Sequence, residues 1–181
     1  MANKAYVYRI YPDQMQEQLM QKTFGCCRFV YNSLLTLQED RYRSGEKHLS
    51  KTEANTYCNK VLKDAFPFLR EVDKFALTNA IFHLEEGYRR FFLRLGKHPR
   101  YKSRHKAKWS YTTNFSNHNI EIGERYIKLP KLGKVKAVIH RFPQEGWQIK
   151  AATVTRNRDN SYQVSVLFFY EEQQISTPIS Y

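Results

Sequence analysis

The sequence predicts an α+β protein: a small antiparallel β-barrel with a helical bundle inserted after its first strand. Three observations carry this. Lys4–Tyr11 (KAYVYRIY) alternates and is rich in Tyr, Val and Ile, the pattern of a strand. From Asp13 to Leu95 the apolar residues recur at helical spacing. From Ser110 onward the period drops to two, in short runs separated by turn residues. The first strand has no strand neighbour nearby in sequence, so it is expected to join the later sheet and leave the helices as an insertion.

Pro12 ends the first strand, and Asp13 is placed to cap a helix from Gln14. Met15, Leu19, Met20 and Phe24 follow, and Gly25 is expected to break or kink the run. A second helix through Arg28, Phe29, Val30, Asn32, Leu34 and Leu35 is expected to reach about Tyr42, giving a helix-turn-helix-like pair that ends near Gly45. Ser50 followed by Glu53 is a capping box for a third helix through Tyr57, Val61 and Leu62. Phe66 to Val72 is a Pro-interrupted connector. Asp73 then caps what reads as the longest helix, Lys74 to about Leu95, with Leu77, Ile81, Leu84, Tyr88, Phe91 and Leu95 on one face. After Gly96, Pro99 and the cations up to Lys108 read as a linker. The expected strands are Ser110–Thr113, Asn119–Ile122, Arg125–Leu129, Lys134–Arg141, Gln148–Thr155 and Tyr162–Tyr170. Turns fall at Gly123–Glu124, Pro130–Gly133, Pro143–Gly146 and Asn157–Asn160.

A chain of 181 residues can bury one good core or two small ones, and 41% hydrophobic with 15% aromatic residues fits a folded protein rather than a basic tail. Its charge is local. Gly87–Arg141 holds fifteen Lys and Arg against Glu121 and Glu124, which equals the +13 of the whole chain. No acidic residue lies between Glu86 and Glu121. Dispersed charge would solubilise equally well, whereas concentrated charge releases counterions on gripping a phosphate backbone. The expected backbone contacts are Arg89, Arg90, Arg94, Arg100, Tyr101, Lys102, Arg104, Lys106 and Lys108. Tyr88, Phe91, Phe92, Trp109 and Tyr111 interleave with them, for stacking on bases or for packing inward. A solvated basic face is the plainer account of the same run.

Catalytic chemistry is not legible. Metal-dependent nucleases need carboxylates converging on divalent cations. Here Glu39–Asp40, Glu85–Glu86 and Glu171–Glu172 are adjacent pairs whose members point apart, the pattern of surface residues. The six histidines have no ligand spacing, and His98, His105, His118 and His140 fall in the basic stretch, where phosphate contacts suit them better than zinc. Cys26, Cys27 and Cys58 form no C-x-x-C pair and read as small buried apolar residues. No phosphate-cradling glycine loop or nucleophile elbow occurs, so no cofactor and no small-molecule substrate is expected. The N-terminus has no signal-peptide apolar region, and no run approaches the ~18 apolar residues of a membrane span. A cytoplasmic, nucleoid-associated protein is expected.

Four segments carry a resemblance: TFGCCRFVYNSLL at 23–35, EVDKFALTNAI at 71–81, WSYTTNFSNHNIEIGERYIKLPKLGKVK at 109–136 and NSYQVSVLFF at 160–169. Together they resemble the TnpB (OrfB) family of RNA-guided nucleases encoded by bacterial insertion sequences and related to type V CRISPR effectors. The resemblance spans about residues 4–170, and LPKLG after the N-x-I-x-I strand is its most specific part. It implies a discontinuous wedge barrel over 1–11 and 105–175 and a helical recognition lobe over 12–104. It also implies guide RNA and duplex DNA as partners. Lys74, Phe75, Thr78, Ser116 and Asn117 match the positions that read a transposon-adjacent DNA motif. Thr78 stands where some relatives carry a longer amide and Lys51 where some carry Tyr, so the motif sequence stays open.

The family continues into a G-[VI]-D-[LV]-G segment that opens a nuclease domain with three acidic metal ligands and a four-cysteine zinc module. This chain stops at TPISY, 177–181. The expectation is a binding part without catalysis. Two further classes stay open beside it: a stand-alone helix-turn-helix DNA binder using the helices before Tyr42, and a general basic RNA-binding protein.

Overall fold

The computed structural model describes residues 1–172. The closing TPISY and the last expected wedge residues lie outside the described residues.

Strand β1 (Ala2–Tyr11) is followed by helix α1 (Gln14–Arg43), 30 residues long. Asp13 and Gln16 cap it reciprocally, and Gln16 Nε2 also donates to the carbonyls of Leu132 and Lys134, docking the helix start on the sheet. The expected break at Gly25 does not occur. A glycine inside a helix costs only about 1 kcal/mol relative to alanine. Buried Met20, Phe24, Cys26, Cys27, Val30, Tyr31, Leu34 and Leu35 on both sides of it hold one continuous apolar face. Gln14–Arg43 is therefore a single helix, and the two-helix reading of this stretch is corrected.

Ser50 and Glu53 form the predicted capping box of α2 (Lys51–Tyr57), which runs through a π-helical turn (Cys58–Leu62) into α3 (Lys63–Ala65). A 3₁₀ turn (Pro67–Glu71) fills the connector. Helix α4 (Lys74–Phe92) starts at Asp73, whose carboxylate accepts from the Phe75 amide at 3.0 Å. It is shorter than α1, so it is not the longest helix. Its stripe is buried at Leu77, Ile81, Leu84 and Tyr88 and then surfaces: Phe91 is 37% and Leu95 63% exposed. The helix ends before Gly96 because Arg94 itself turns left-handed (φ 60°), while the Leu95 amide reaches the Arg90 carbonyl at 2.8 Å.

The remaining strands are β2 (Ser110–Asn114), β3 (Glu121–Ile122), β4 (Tyr126–Leu129), β5 (Gly133–Ala137), β6 (Gln148–Arg156) and β7 (Tyr162–Tyr170). They form one antiparallel sheet in the order β2-β6-β7-β1-β5-β4-β3. Strand β1 does join the later sheet, between β7 and β5, and the helices are inserted between it and β2. The sheet is open, which corrects the expected barrel: β2 and β3 are its two edges. In the segment between them the Asn119 side chain accepts from the Ser116 amide at 2.8 Å and donates to the Asn114 carbonyl at 2.9 Å, so these two backbone groups are satisfied locally and not by a strand partner. Asn117 (φ 48°) and His118 (φ 57°) turn the chain there, leaving β3 only two residues.

One core runs through both parts. Tyr6, Tyr8 and Ile10 of β1 face inward with Val164, Val166 and Phe168 of β7, and with Ile127, Leu129 and Val135. Phe24 of α1 packs on Tyr111 of β2 at 5.5 Å between centroids, joining helix to sheet. The Cys27 thiol lies 3.5 Å from the Ala76 carbonyl, joining α1 to α4. All three cysteines are free and buried, as read from the sequence. Gly123 is held by space: a Cβ there would meet the Tyr126 ring at 2.3 Å. Among the described residues no helix is long and apolar enough to cross a membrane.

Candidate nucleic-acid interface

Lys74, Phe75 and Thr78 occupy the first turn of α4, as the sequence predicts. Lys74 is exposed, with its ammonium 5.2 Å from the Phe75 ring centroid, and Phe75 is half-buried rather than core. The Thr78 hydroxyl faces two acceptors, the Lys74 carbonyl at 3.2 Å and Asn55 Oδ1 of α2 at 3.3 Å. It has one proton, so it serves one of them at a time and keeps lone pairs for an incoming donor. Ser116 and Asn117 are exposed in the turn after β2. Asn79, next to Thr78, donates to the Thr112 carbonyl at 2.8 Å and to Asn114 Oδ1 at 3.2 Å. That pair of bonds ties the start of α4 to β2, the strand leading into Ser116 and Asn117. Asn79 was not singled out from the sequence, and nothing in its local pattern marks it.

The cations divide into free and committed ones. Arg100, Arg104, Lys106 and Lys108 are exposed along the linker. Arg89 is paired with Glu86 at 2.6 Å, and Arg90 reaches the Leu95 carbonyl at 3.4 Å, closing the α4 end. Lys102 is not a free cation. Its backbone is held on both sides by Asn32 of α1, at 2.9 and 2.8 Å, and its ammonium sits 4.3 Å over the Tyr31 ring. Burial lowers its pKa. Tyr101 meets the Thr36 hydroxyl at 3.0 Å, so residues 101 and 102 strap the linker to α1.

Of the carboxylates expected at the surface, Asp40, Glu171 and Glu172 are exposed, whereas Glu85 and Glu39 are engaged. Glu85 is buried and accepts from Gln38 at 3.0 Å, with His48 at 2.8 Å. Glu39 accepts from the Tyr88 hydroxyl at 2.7 Å and pairs with His98 at 2.8 Å. His98, expected to face phosphate, is thus an internal partner. The Tyr88 hydrogen bond, helped by His98, holds the Glu39 carboxyl below its ordinary 4.5. A depressed carboxyl contributes stability above its unfolded pKa and loses it as pH falls through the folded value. Replacing Glu39 with Gln should therefore lower the Tm at neutral pH, and the gap from the parent should close as pH drops below about 4.5. Melts across that range check this; a gap constant with pH would overturn it.

Among the described residues no three His, Cys, Asp or Glu side chains come together as a metal site. The sequence reading also missed Arg156 and Arg158. They sit at the β6–β7 hairpin but lie beside the linker, because β2 pairs with β6 from Ser110↔Thr155 onward. That pairing joins segments some forty residues apart and leaves no local signal.

Residues 1–47 match the family described as "Helix-turn-helix domain" of the OrfB, IS605 type. Here that stretch is β1, the single helix α1 and the turn after it. The chain is 30% identical over 166 residues, 91% of its length, to a candidate RNA-guided DNA endonuclease of Streptomyces pristinaespiralis. It is 25% identical over 179 residues, 97% of its length, to InsQ of Escherichia coli (strain K12), a candidate RNA-guided DNA endonuclease. It spans 41% and 42% of the length of those two relatives.

Proposed function

We propose that this chain, which resembles the N-terminal part of TnpB (OrfB) proteins, serves as the nucleic-acid-binding part of an RNA-guided DNA-targeting protein. The observation that carries the reading is the division of its surface. Free cations line the linker, while uncharged polar groups, Thr78 on α4 and Ser116 and Asn117 in the turn after β2, accompany the exposed cation Lys74. The first arrangement suits phosphates of a structured RNA; the second suits base edges of a duplex. In this reading β1 and residues 105–175 are the wedge, and 12–104 are the recognition lobe.

The same reading assigns binding without cutting to these 181 residues. Glu39, Glu85 and Glu86 are already committed to protein partners, so they are poor donors for the divalent cations of phosphodiester hydrolysis. Purified protein with guide RNA, target duplex and magnesium should leave the duplex intact; guide-directed cleavage would overturn that assignment. Sequencing the RNA that co-purifies tests the larger reading. A defined RNA encoded beside the gene supports it, and heterogeneous cellular RNA points to a general RNA binder. The stand-alone helix-turn-helix alternative keeps the family match over residues 1–47, although α1 there is one helix; RNA-free purification with a DNA footprint would support it.

A further inference from the structure

We propose that the cleft between the linker and the β6–β7 hairpin holds one unpaired nucleotide, its base stacked on the outer face of the Arg156 guanidinium. The proposal rests on the reading of the basic face as nucleic-acid-binding and names what one part of it takes.

The cleft measures about 620 Å³ and is lined by Arg104, Lys106 and Lys108 on one wall and Arg156 and Arg158 on the other, with Trp109 at its base. No carboxylate lines it. The one acid nearby, Asp159, is tied to the Ser161 hydroxyl and amide at 2.6 and 3.0 Å, which hold its pKa down. Five cations around a concave space repel one another unless an anion enters.

The aromatic floor is built, not incidental. Trp109 Nε1 donates to the Arg104 carbonyl at 3.0 Å, and the Arg156 amide donates to the Trp109 carbonyl at 2.9 Å. The Arg156 guanidinium lies 4.4 Å from the indole centroid and is fixed by a 2.8 Å bond to Asn160 Oδ1. Its Nε–H is buried and finds no acceptor among the described residues, so the outer edge of the guanidinium is what the cleft can reach. A planar cation held over an indole can offer its other face to a second π-system, and guanidinium planes are a recurring platform for unstacked bases. Bases in a duplex are already stacked on both sides and cannot enter, so the cleft should prefer single strands. Arg158 at the hairpin tip and Lys108 opposite are placed for the flanking phosphates.

The chain has two tryptophans, so Trp147→Phe leaves Trp109 as sole indole reporter. The probes are a short single-stranded oligoribonucleotide, its deoxyribo counterpart and a blunt duplex of the same sequence. Both single strands should quench Trp109 saturably, at about tenfold lower concentration than the duplex, and the stronger of the two identifies the sugar. Arg156→Lys, which keeps charge but loses the plane, should weaken single-strand binding about five- to tenfold and leave duplex binding by gel shift unchanged. Arg158→Gln, at an exposed position outside the stack, should cut the single-strand salt slope by about 0.7. Unchanged single-strand affinity in both variants, or equal losses on duplex, overturns the cleft while the basic-face reading stands. Absence of nucleic-acid binding by the parent overturns both.

Discussion

Replacing Arg100, Arg104, Lys106 and Lys108 together with Gln should weaken binding to RNA and DNA of any sequence and flatten its salt dependence. These four are exposed, and their side chains carry no protein partner among the described hydrogen bonds and ion pairs. Each duplex phosphate contact contributes about 0.9 to the log–log slope. If three of the four meet phosphates, the slope shrinks by roughly 2–3 units. Over an about fourfold rise in salt, the variant then loses roughly fortyfold less affinity than the parent. Lys102 is left in place because its ammonium is spent on Tyr31 and its backbone on Asn32. Its replacement would loosen the linker and confuse lost charge with lost order. Fluorescence anisotropy across a salt series measures the slope, with a thermal melt as control for folding. An unchanged slope would mean that the run is solvated surface.

What the sequence showed and hid follows from the range of each interaction. Local devices were legible. The Asp13 cap, the Ser50 capping box, the Asp73 cap and the alternation of β6 and β7 depend on residues within a few positions of one another. The insertion of helices into a sheet was legible too, because Lys4–Tyr11 needed partners that only the later strands provide. Gly25 misled because a propensity cost of about 1 kcal/mol is smaller than the burial of the apolar face around it. Phe91 and Leu95 kept the spacing of the stripe, yet the end of α4 is only partly covered, with His98 against Phe91 at 5.0 Å, and spacing alone does not say where cover runs out. Glu85 looked like one of a surface pair, but the α4 face that carries Leu84 also turns Glu85 toward Gln38 and His48. Asn119 satisfies backbone groups of the turn after β2 through its side chain, a device that alternation of apolar residues does not reveal. For the interface, the charge run was visible and its partners were not. Asn79, Arg156 and Arg158 reach it only through tertiary pairing.

Lys74→Ala and Thr78→Ala should separate reading from positioning, and at Lys74 the effect on the preferred DNA motif is expected to be about 1–3 kcal/mol. The first turn of α4 is rigid: Asp73 caps it, Leu77 and Ile81 anchor it in the core, and Asn79 bolts it to β2. A helix N-terminus held this way can meet a groove at a fixed angle. The Lys74 ammonium, steered by the Phe75 ring, is free to donate to a base acceptor or a phosphate. Thr78 is more constrained. Its proton is already shared between the Lys74 carbonyl and Asn55, so it suits a base as an acceptor, opposite an exocyclic amino group. Its loss should be smaller, about 1 kcal/mol, and should fall on one base position. Ser116 and Asn117, across the Asn79 bond, should contribute in the same groove, and an Asn117→Gly change tests that side while relieving the left-handed backbone at φ 48°. The measurement is paired affinities for duplexes carrying the selected motif and a scrambled one, with melts alongside. Losses confined to the motif place α4 in direct readout. Equal losses on both duplexes reduce Lys74 to a phosphate contact, and specificity must then be sought at the turn after β2.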